Sequence, residues 1–256
     1  MTRPLTCSIC GGRDFANHKV LWPALIAEWQ LTQDEASYVD RQQGCVCTAC
    51  GTNLRGIALG DAVRQFFNTE LPLQDAVQTG SFDSVRVLDA NGVPGLSAVF
   101  SKLPNYLRRD FPGIDLQALD FGDASFDLII HSDTLEHVPQ PRLALEECRR
   151  VLAPSGRLCF TAPIIVGRMT RNRAGLPPSY HGQATDEAAD YVVHSEFGAD
   201  LWTLVLAAGF SDVALNHVDY PAAVAISAWD AVSAQPSARS TDDVEAASAE
   251  RQSSRV

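Results

Sequence analysis

The sequence predicts an α/β protein with a mostly parallel sheet, a small cysteine-bearing module before it and a polar tail after it. Three observations carry this reading. Between about residues 80 and 229, short apolar runs alternate with segments of helical periodicity, as strands joined by crossover helices do. Five of the seven cysteines fall within the first 50 residues. The last stretch, AVSAQPSARSTDDVEAASAERQSSRV, has almost no large apolar side chain, so burial cannot offset its ordering entropy. The 256 residues accordingly divide into a module at 1–68, a core at 80–229 and a disordered tail at 230–256.

In the module, Trp22, Leu25, Ile26 and Trp29 recur at helical spacing, so a helix from about Pro23 to Gln30 places both tryptophans on one packed face. Thr32 and Glu35 have capping-box spacing and start a second helix toward Asp40. Leu54, Ile57, Ala58, Ala62 and Phe66 mark a third, leading into the core. There, Val85–Leu88 and Phe126–Ile130 are strands ending in polar residues, and 141–152 is a helix with Leu145, Cys148 and Leu152 on one face. A strand at Arg157–Thr161, a helix at Leu201–Ala208 stopped by Gly209, and closing strands at Val213–Val218 and Ala222–Ala228 complete the series. Ligands of such sheets sit beyond the carboxyl ends of the strands.

Composition narrows the function. Hydrophobic residues at 46% and charged residues at 20% are globular values. A net charge of −11 argues against sequence-independent nucleic-acid binding, which needs clustered cations. No apolar run approaches the ~18 residues of a membrane span, and MTRPLTCSIC lacks an apolar signal core, so a cytoplasmic protein is expected. CSICG at 7–11 and CTACG at 47–51 are matching Cys-x-x-Cys-Gly knuckles. Two such turns converge four thiolates, from Cys7, Cys10, Cys47 and Cys50, on a structural Zn²⁺, with glycine permitting the tight backbone. Cys45 is a spare that could replace Cys47, although only Cys47 preserves the paired spacing, and a redox dithiol is the alternative.

In the core, VRVLDANGVPG at 85–95 runs from a strand through an acid into glycines, and FDLIIHSDTLEHV at 126–138 precedes RRVLAPSGRLCFTAP. Together with AGF at 208–210, this run resembles class I S-adenosylmethionine-dependent methyltransferases over roughly residues 83–229, and the whole is similar to a bacterial subgroup with an N-terminal zinc-ribbon module. The resemblance implies a Rossmann-like sheet. Only 36 residues separate Asp89 from Phe126, so that sheet is shortened between its first and fourth strands. By the same resemblance Asp89, Gly92 and Gly95 form the first cofactor loop, with the usual glycine triad reduced to Asn91-Gly92-Val93-Pro94-Gly95. Asp110 approximates the ribose-binding acid, Asp115 and Leu116 match the adenine-contacting pair, and His131 and Ser132 occupy the methionine-side loop.

Methyl transfer from a sulfonium needs an aligned acceptor and, for a hydroxyl, a base. Candidate bases are His137, on a short helix at the strand end, and His181 and His194, in the long segment 163–200. That segment exceeds an ordinary loop and is expected to cover or select substrate; its Arg168, Arg171 and Arg173 either recognise an anion or sit in solvent. The expected activity is methylation of a small molecule or sugar, on oxygen, with a histidine base. Alternatives are RNA or protein methylation guided by the zinc module, or a non-catalytic binding protein with a degenerate cofactor pocket.

Overall fold

A computed structural model describes residues 5–180 and 191–231. The expected disordered tail at 230–256, apart from its first two residues, and His181 lie outside the described residues.

The N-terminal part opens with β1 (Phe15–Asn17), α1 (Pro23–Glu28), α2 (Gln33–Gly44) and β2 (Cys45–Cys47), the two strands pairing antiparallel with Phe15 opposite Cys47. Proline pre-sets the first turn of α1. The capping box of α2 closes as its spacing implies: the Glu35 amide donates to Thr32 Oγ1 and the Thr32 amide to Glu35 Oε2. α3 (Leu54–Phe67) is capped by Asn53, whose Oδ1 accepts from the Gly56 amide, and stops at Asn68 in the left-handed conformation.

The core follows as α4 (Leu73–Gln78), β3 (Val87–Ala90), α5 (Leu96–Phe100), β4 (Tyr106–Arg109), β5 (Phe126–Ser132), α6 (Pro141–Val151) and β6 (Leu152–Thr161). After it come the short strands β7 (Ile164–Ile165), β8 (Arg171–Asn172) and β9 (Ser195–Gly198), then α7 (Leu201–Ala207), β10 (Asp212–Val218) and β11 (Ala223–Trp229). Six strands form the main sheet in the order β10-β11-β6-β5-β3-β4. Its pairs β4/β3, β3/β5 and β5/β6 are parallel, while β11 runs antiparallel to both its neighbours. The fold class read from the sequence is thus borne out. β4 is not anticipated by pattern, because YLRR lacks an apolar alternation, and no further strand or helix is formed between β4 and β5.

Alternation along the strands divides the core. Val87, Leu128, Ile130 and Ala225 face α3, α4 and α5, whereas Leu88, Ile129, Phe160 and Ile226 face α6 and α7. α3 therefore covers the sheet directly, with Leu54, Ile57, Ala58 and Leu59 fully buried. The segment 163–200 is organised by a second, three-stranded sheet in the order β7-β9-β8. It packs on α1 and α2 through Leu25, Trp29, Val39, Ile165 and Val193, and the Trp29 indole donates to Ser179 Oγ at 2.9 Å. Among the described residues no helix is long and apolar enough to cross a membrane.

Candidate functional site

Two places gather chemically capable side chains. The first is the cysteine pair of knuckles. Their amides close tight turns, Gly11 N onto Cys7 O and Gly51 N onto Cys47 O, with both glycines in the left-handed region that their sequence position anticipates. The Sγ atoms of Cys7, Cys10, Cys47 and Cys50 lie within 4.8 Å of one another, with Cys7–Cys50 and Cys10–Cys47 each at 3.6 Å. Thiolates ~2.3 Å from a tetrahedral ion stand about 3.8 Å apart, so this donor set suits a zinc-sized cation. Burial pushes the Cys7 thiol well above its ordinary range, the cost that a bound cation would remove. Cys45 is buried at the start of β2, outside the cluster, and Cys148 and Cys159 are deep in the core, their thiols pushed up to about 12 by burial.

The second place is the crevice at the carboxyl ends of β3, β4 and β5. Asp89 is fully buried; its Oδ2 accepts from Ser97 Oγ at 2.5 Å and from the Tyr106 hydroxyl at 2.7 Å, while Oδ1 has no hydrogen-bond partner among the described residues. Burial raises its pKa. The turn that follows holds Asn91, Gly92 and Gly95 at positive φ. A Cβ on Gly92 would stand 2.4 Å from the Arg108 guanidinium carbon, and one on Gly95 2.0 Å from Thr52 Oγ1. The glycines thus admit an arginine from β4 and a knuckle threonine against the turn. Asp110 is exposed just past β4 and accepts from Arg108 Nε at 2.9 Å. Asp115 is also exposed and accepts from the Gln117 amide, whereas Leu116 is buried in the α6–α7 face of the core.

His131 and Ser132 lie within β5, at its end. His131 is fully buried, stacked on Phe160 with ring centroids 4.8 Å apart, and neither ring nitrogen has a partner among the described residues. Burial lowers its pKa to about 4 against the opposing pull of the Glu136 carboxylate, so it is neutral at pH 7. Ser132 Oγ is 2.8 Å from Thr161 Oγ1. The next loop is tied to the β3 turn by Asn91 Nδ2 donating to Thr134 Oγ1.

His137 and His194 meet at this end of the sheet. His137, on a single 3-10 turn at Leu135–His137, has Nδ1 3.0 Å from the Val192 carbonyl and Nε2 3.7 Å from Glu136 Oε1. The His194 amide donates to the Glu136 carbonyl, and burial together with the nearby His137 lowers the His194 pKa. The arginines of the segment are engaged internally. Arg168 clasps both Glu35 oxygens at 2.7 Å and the carbonyls of Trp29 and Gln30, while Arg171 and Arg173 bind the buried Glu196. Arg168 ties the segment to α1 and α2, while the half-exposed Arg171 and the buried Arg173 fasten the β8 region to β9. Sequence reasoning passes over Tyr106, Ser97 and Arg55; for Arg55 the available signal is a lone cation in the otherwise apolar opening of α3.

Residues 100–160, from the end of α5 nearly to the end of β6, match a family described as a methyltransferase domain. No curated protein matches. Similar solved structures include a 1,6-didemethyltoxoflavin-N1-methyltransferase from Burkholderia thailandensis, at 15% identity and TM-score 0.38 over 85% of this chain and 94% of that one. Another is an O-methyltransferase, so described provisionally, from Nostoc punctiforme, at 16% identity and TM-score 0.38 over 68% of this chain and 60% of that one. A [4+2]-cyclase matches at 20% identity and TM-score 0.33 over 56% of this chain, which spans 58% of its length. The family match spans β4, β5, α6 and nearly all of β6 within the α/β core.

Proposed function

We propose that this protein is an S-adenosylmethionine-dependent methyltransferase of a small molecule or sugar, working on oxygen with a histidine base, and that a structural zinc ion holds its N-terminal module. The methyltransferase-domain match over residues 100–160 carries the reading. The crevice residues fit the cofactor: a buried carboxylate, Asp89, keeps one oxygen without a partner among the described residues, and the exposed acids Asp110 and Asp115 follow the neighbouring strand. Asp89, Gly92, Gly95, Asp110, Asp115, Leu116, His131 and Ser132 would line its pocket, and Cys7, Cys10, Cys47 and Cys50 would hold the zinc. The thiol cluster suits a reducing compartment, and the reading takes the protein as cytoplasmic.

S-adenosylmethionine supplies a methyl group on a cationic sulfur. The chain aligns the acceptor and takes its proton. His137 suits proton removal, because with Nδ1–H donating to the Val192 carbonyl, Nε2 is the basic nitrogen. His194 beside it, and His181 outside the described residues, would shape acceptor binding. A second reading, a non-catalytic binding protein, is favoured by the Arg108 guanidinium lying over the Gly92 turn. Calorimetry with S-adenosylhomocysteine separates the two: micromolar binding is expected of the enzyme, and no binding at millimolar ligand would sink it. A panel of hydroxylated small molecules and sugars, scored for methyl transfer, then tests the acceptor class.

A further inference from the structure

Thr52 directly follows the second cysteine knuckle and is fully buried. Its carbonyl accepts from the Cys47 amide at 2.9 Å, which closes the knuckle, and its Oγ1 lies 3.2 Å from Cys50 Sγ. Once Cys50 is a metal-bound thiolate, that hydroxyl donates to the sulfur, the kind of outer contact that orients a metal ligand. The other side of the same oxygen rests on the turn after β3. A Cβ on Gly95 would collide with Thr52 Oγ1, and one on Gly56 with Thr52 Cγ2. The methyl is thus pinned on α3 while the oxygen is wedged between the sulfur and Gly95, so the side chain cannot turn without moving one of the three.

Gly95 is where the crevice would feel that wedge. It holds φ +79° at the start of α5, between the buried Val93 and Leu96, so the turn has little room to yield. Two residues on, Ser97 Oγ accepts from the Val93 amide at 2.6 Å and donates to Asp89 Oδ2 at 2.5 Å. A continuous line of contacts thereby runs from the Cys50 sulfur through Thr52, Gly95 and Ser97 to the buried carboxylate of β3. Ligands at its two ends bias the same packed element, which is the physical content of a coupling between sites.

We propose that Thr52 is a positioning residue that couples the cysteine cluster to the crevice, so that metal at one and cofactor at the other strengthen each other's binding. The inference rests on the zinc and S-adenosylmethionine readings of the two sites, and its test separates it from them. Linkage makes the coupling reciprocal: whatever factor zinc adds to cofactor affinity, the cofactor adds to zinc affinity. On the full chain, calorimetry with S-adenosylhomocysteine compares zinc-loaded with zinc-free protein, and competition with a chromogenic chelator measures zinc affinity with and without S-adenosylhomocysteine. Both are expected to shift by the same factor, about fivefold or more. Binding of both ligands without coupling overturns the proposal alone, whereas failure of either to bind overturns that site's reading and the proposal with it. In Thr52→Ala the factor should fall to about one while both ligands still bind, and Thr52→Ser, which keeps the oxygen, should preserve it. A factor unchanged in Thr52→Ala, or lost in Thr52→Ser, overturns the proposal. Should the zinc-free chain or Thr52→Ala lose its circular-dichroism signature of folding, the unaltered chain loaded with Co²⁺ decides. Saturating S-adenosylhomocysteine should shift its visible absorption bands, which report the geometry of the sulfur ligands, and unshifted bands overturn the proposal.

Discussion

The cysteine cluster and the strand-end crevice sit at the two ends of one short path, from Cys50 through Thr52 to Gly95, but are assembled in opposite ways. Each half of the cluster is a local turn, four residues long, whose shape follows from Cys-x-x-Cys-Gly; the chain has only to bring two prefabricated halves together. The crevice has no such halves. Asp89, Arg55, Tyr106 and Asp133 come from four separate elements, and the partner of each is more than seven residues away. Where the paths meet, Thr52 touches Cys50 Sγ at 3.2 Å and fills the space over Gly95. A site made of local turns tolerates distant change, whereas one made of long-range pairs depends on every element that positions it.

The largest effect should come from breaking the cluster. Cys47→Ser is expected to lose zinc, measured by elemental analysis, and several kcal/mol of the ~10 or more that such ions contribute to small modules. Cys45→Ser, Cys148→Ser and Cys159→Ser should retain metal; loss of zinc in Cys45→Ser instead would redraw the ligand set.

Next is the staple joining the N-terminal helices to the segment after β6. The Arg168 guanidinium draws the Glu35 carboxyl from its ordinary 4.5 to about 2. A depressed carboxyl contributes stability that is complete above the unfolded value and is lost as pH falls through the folded one, here between about 4.5 and about 2. Glu35→Gln should therefore cost about 2 kcal/mol near neutrality and nothing at pH 2, which urea melts across pH will read. An equal cost at every pH would mean that packing, not the ion pair, holds the segment. His131 adds acid sensitivity of the same sign at higher pH: with its folded pKa lowered to about 4, stability falls as pH drops from about 6.5 toward 4.

Once an acceptor is in hand, His137→Ala should reduce turnover about 100-fold, roughly 2.7 kcal/mol, with S-adenosylhomocysteine affinity kept. Full turnover in that variant, with loss in His181→Ala or His194→Ala, would move the base into the segment.

The smallest effect probes the junction itself. Gly95→Ala sets a methyl against Thr52 Oγ1 at positive φ and should cost about 1–3 kcal/mol. Adding Thr52→Ala should recover the steric part; if it recovers nothing, the strain lies in the backbone alone.

Much of the architecture can be read without coordinates. The capping box of Thr32 and Glu35, the helix Pro141–Val151, the strands around it and the closing pair appear within a few residues of where periodicity puts them, because each is governed by neighbours three or four positions away or by alternation at two. The knuckle spacing is legible for the same reason. The sequence alone thus determined the alternating fold class and the convergent cysteines, both of which are written in short-range pattern. Tertiary structure decided what composition cannot express. It gave the unpatterned YLRR a place as the edge strand β4, turned Arg168, Arg171 and Arg173 into internal staples, and buried His131 under Phe160. It also brought Arg55 to Asp133 across 78 positions of sequence, since the burial and charge of a side chain are set by whatever distant element packs over it.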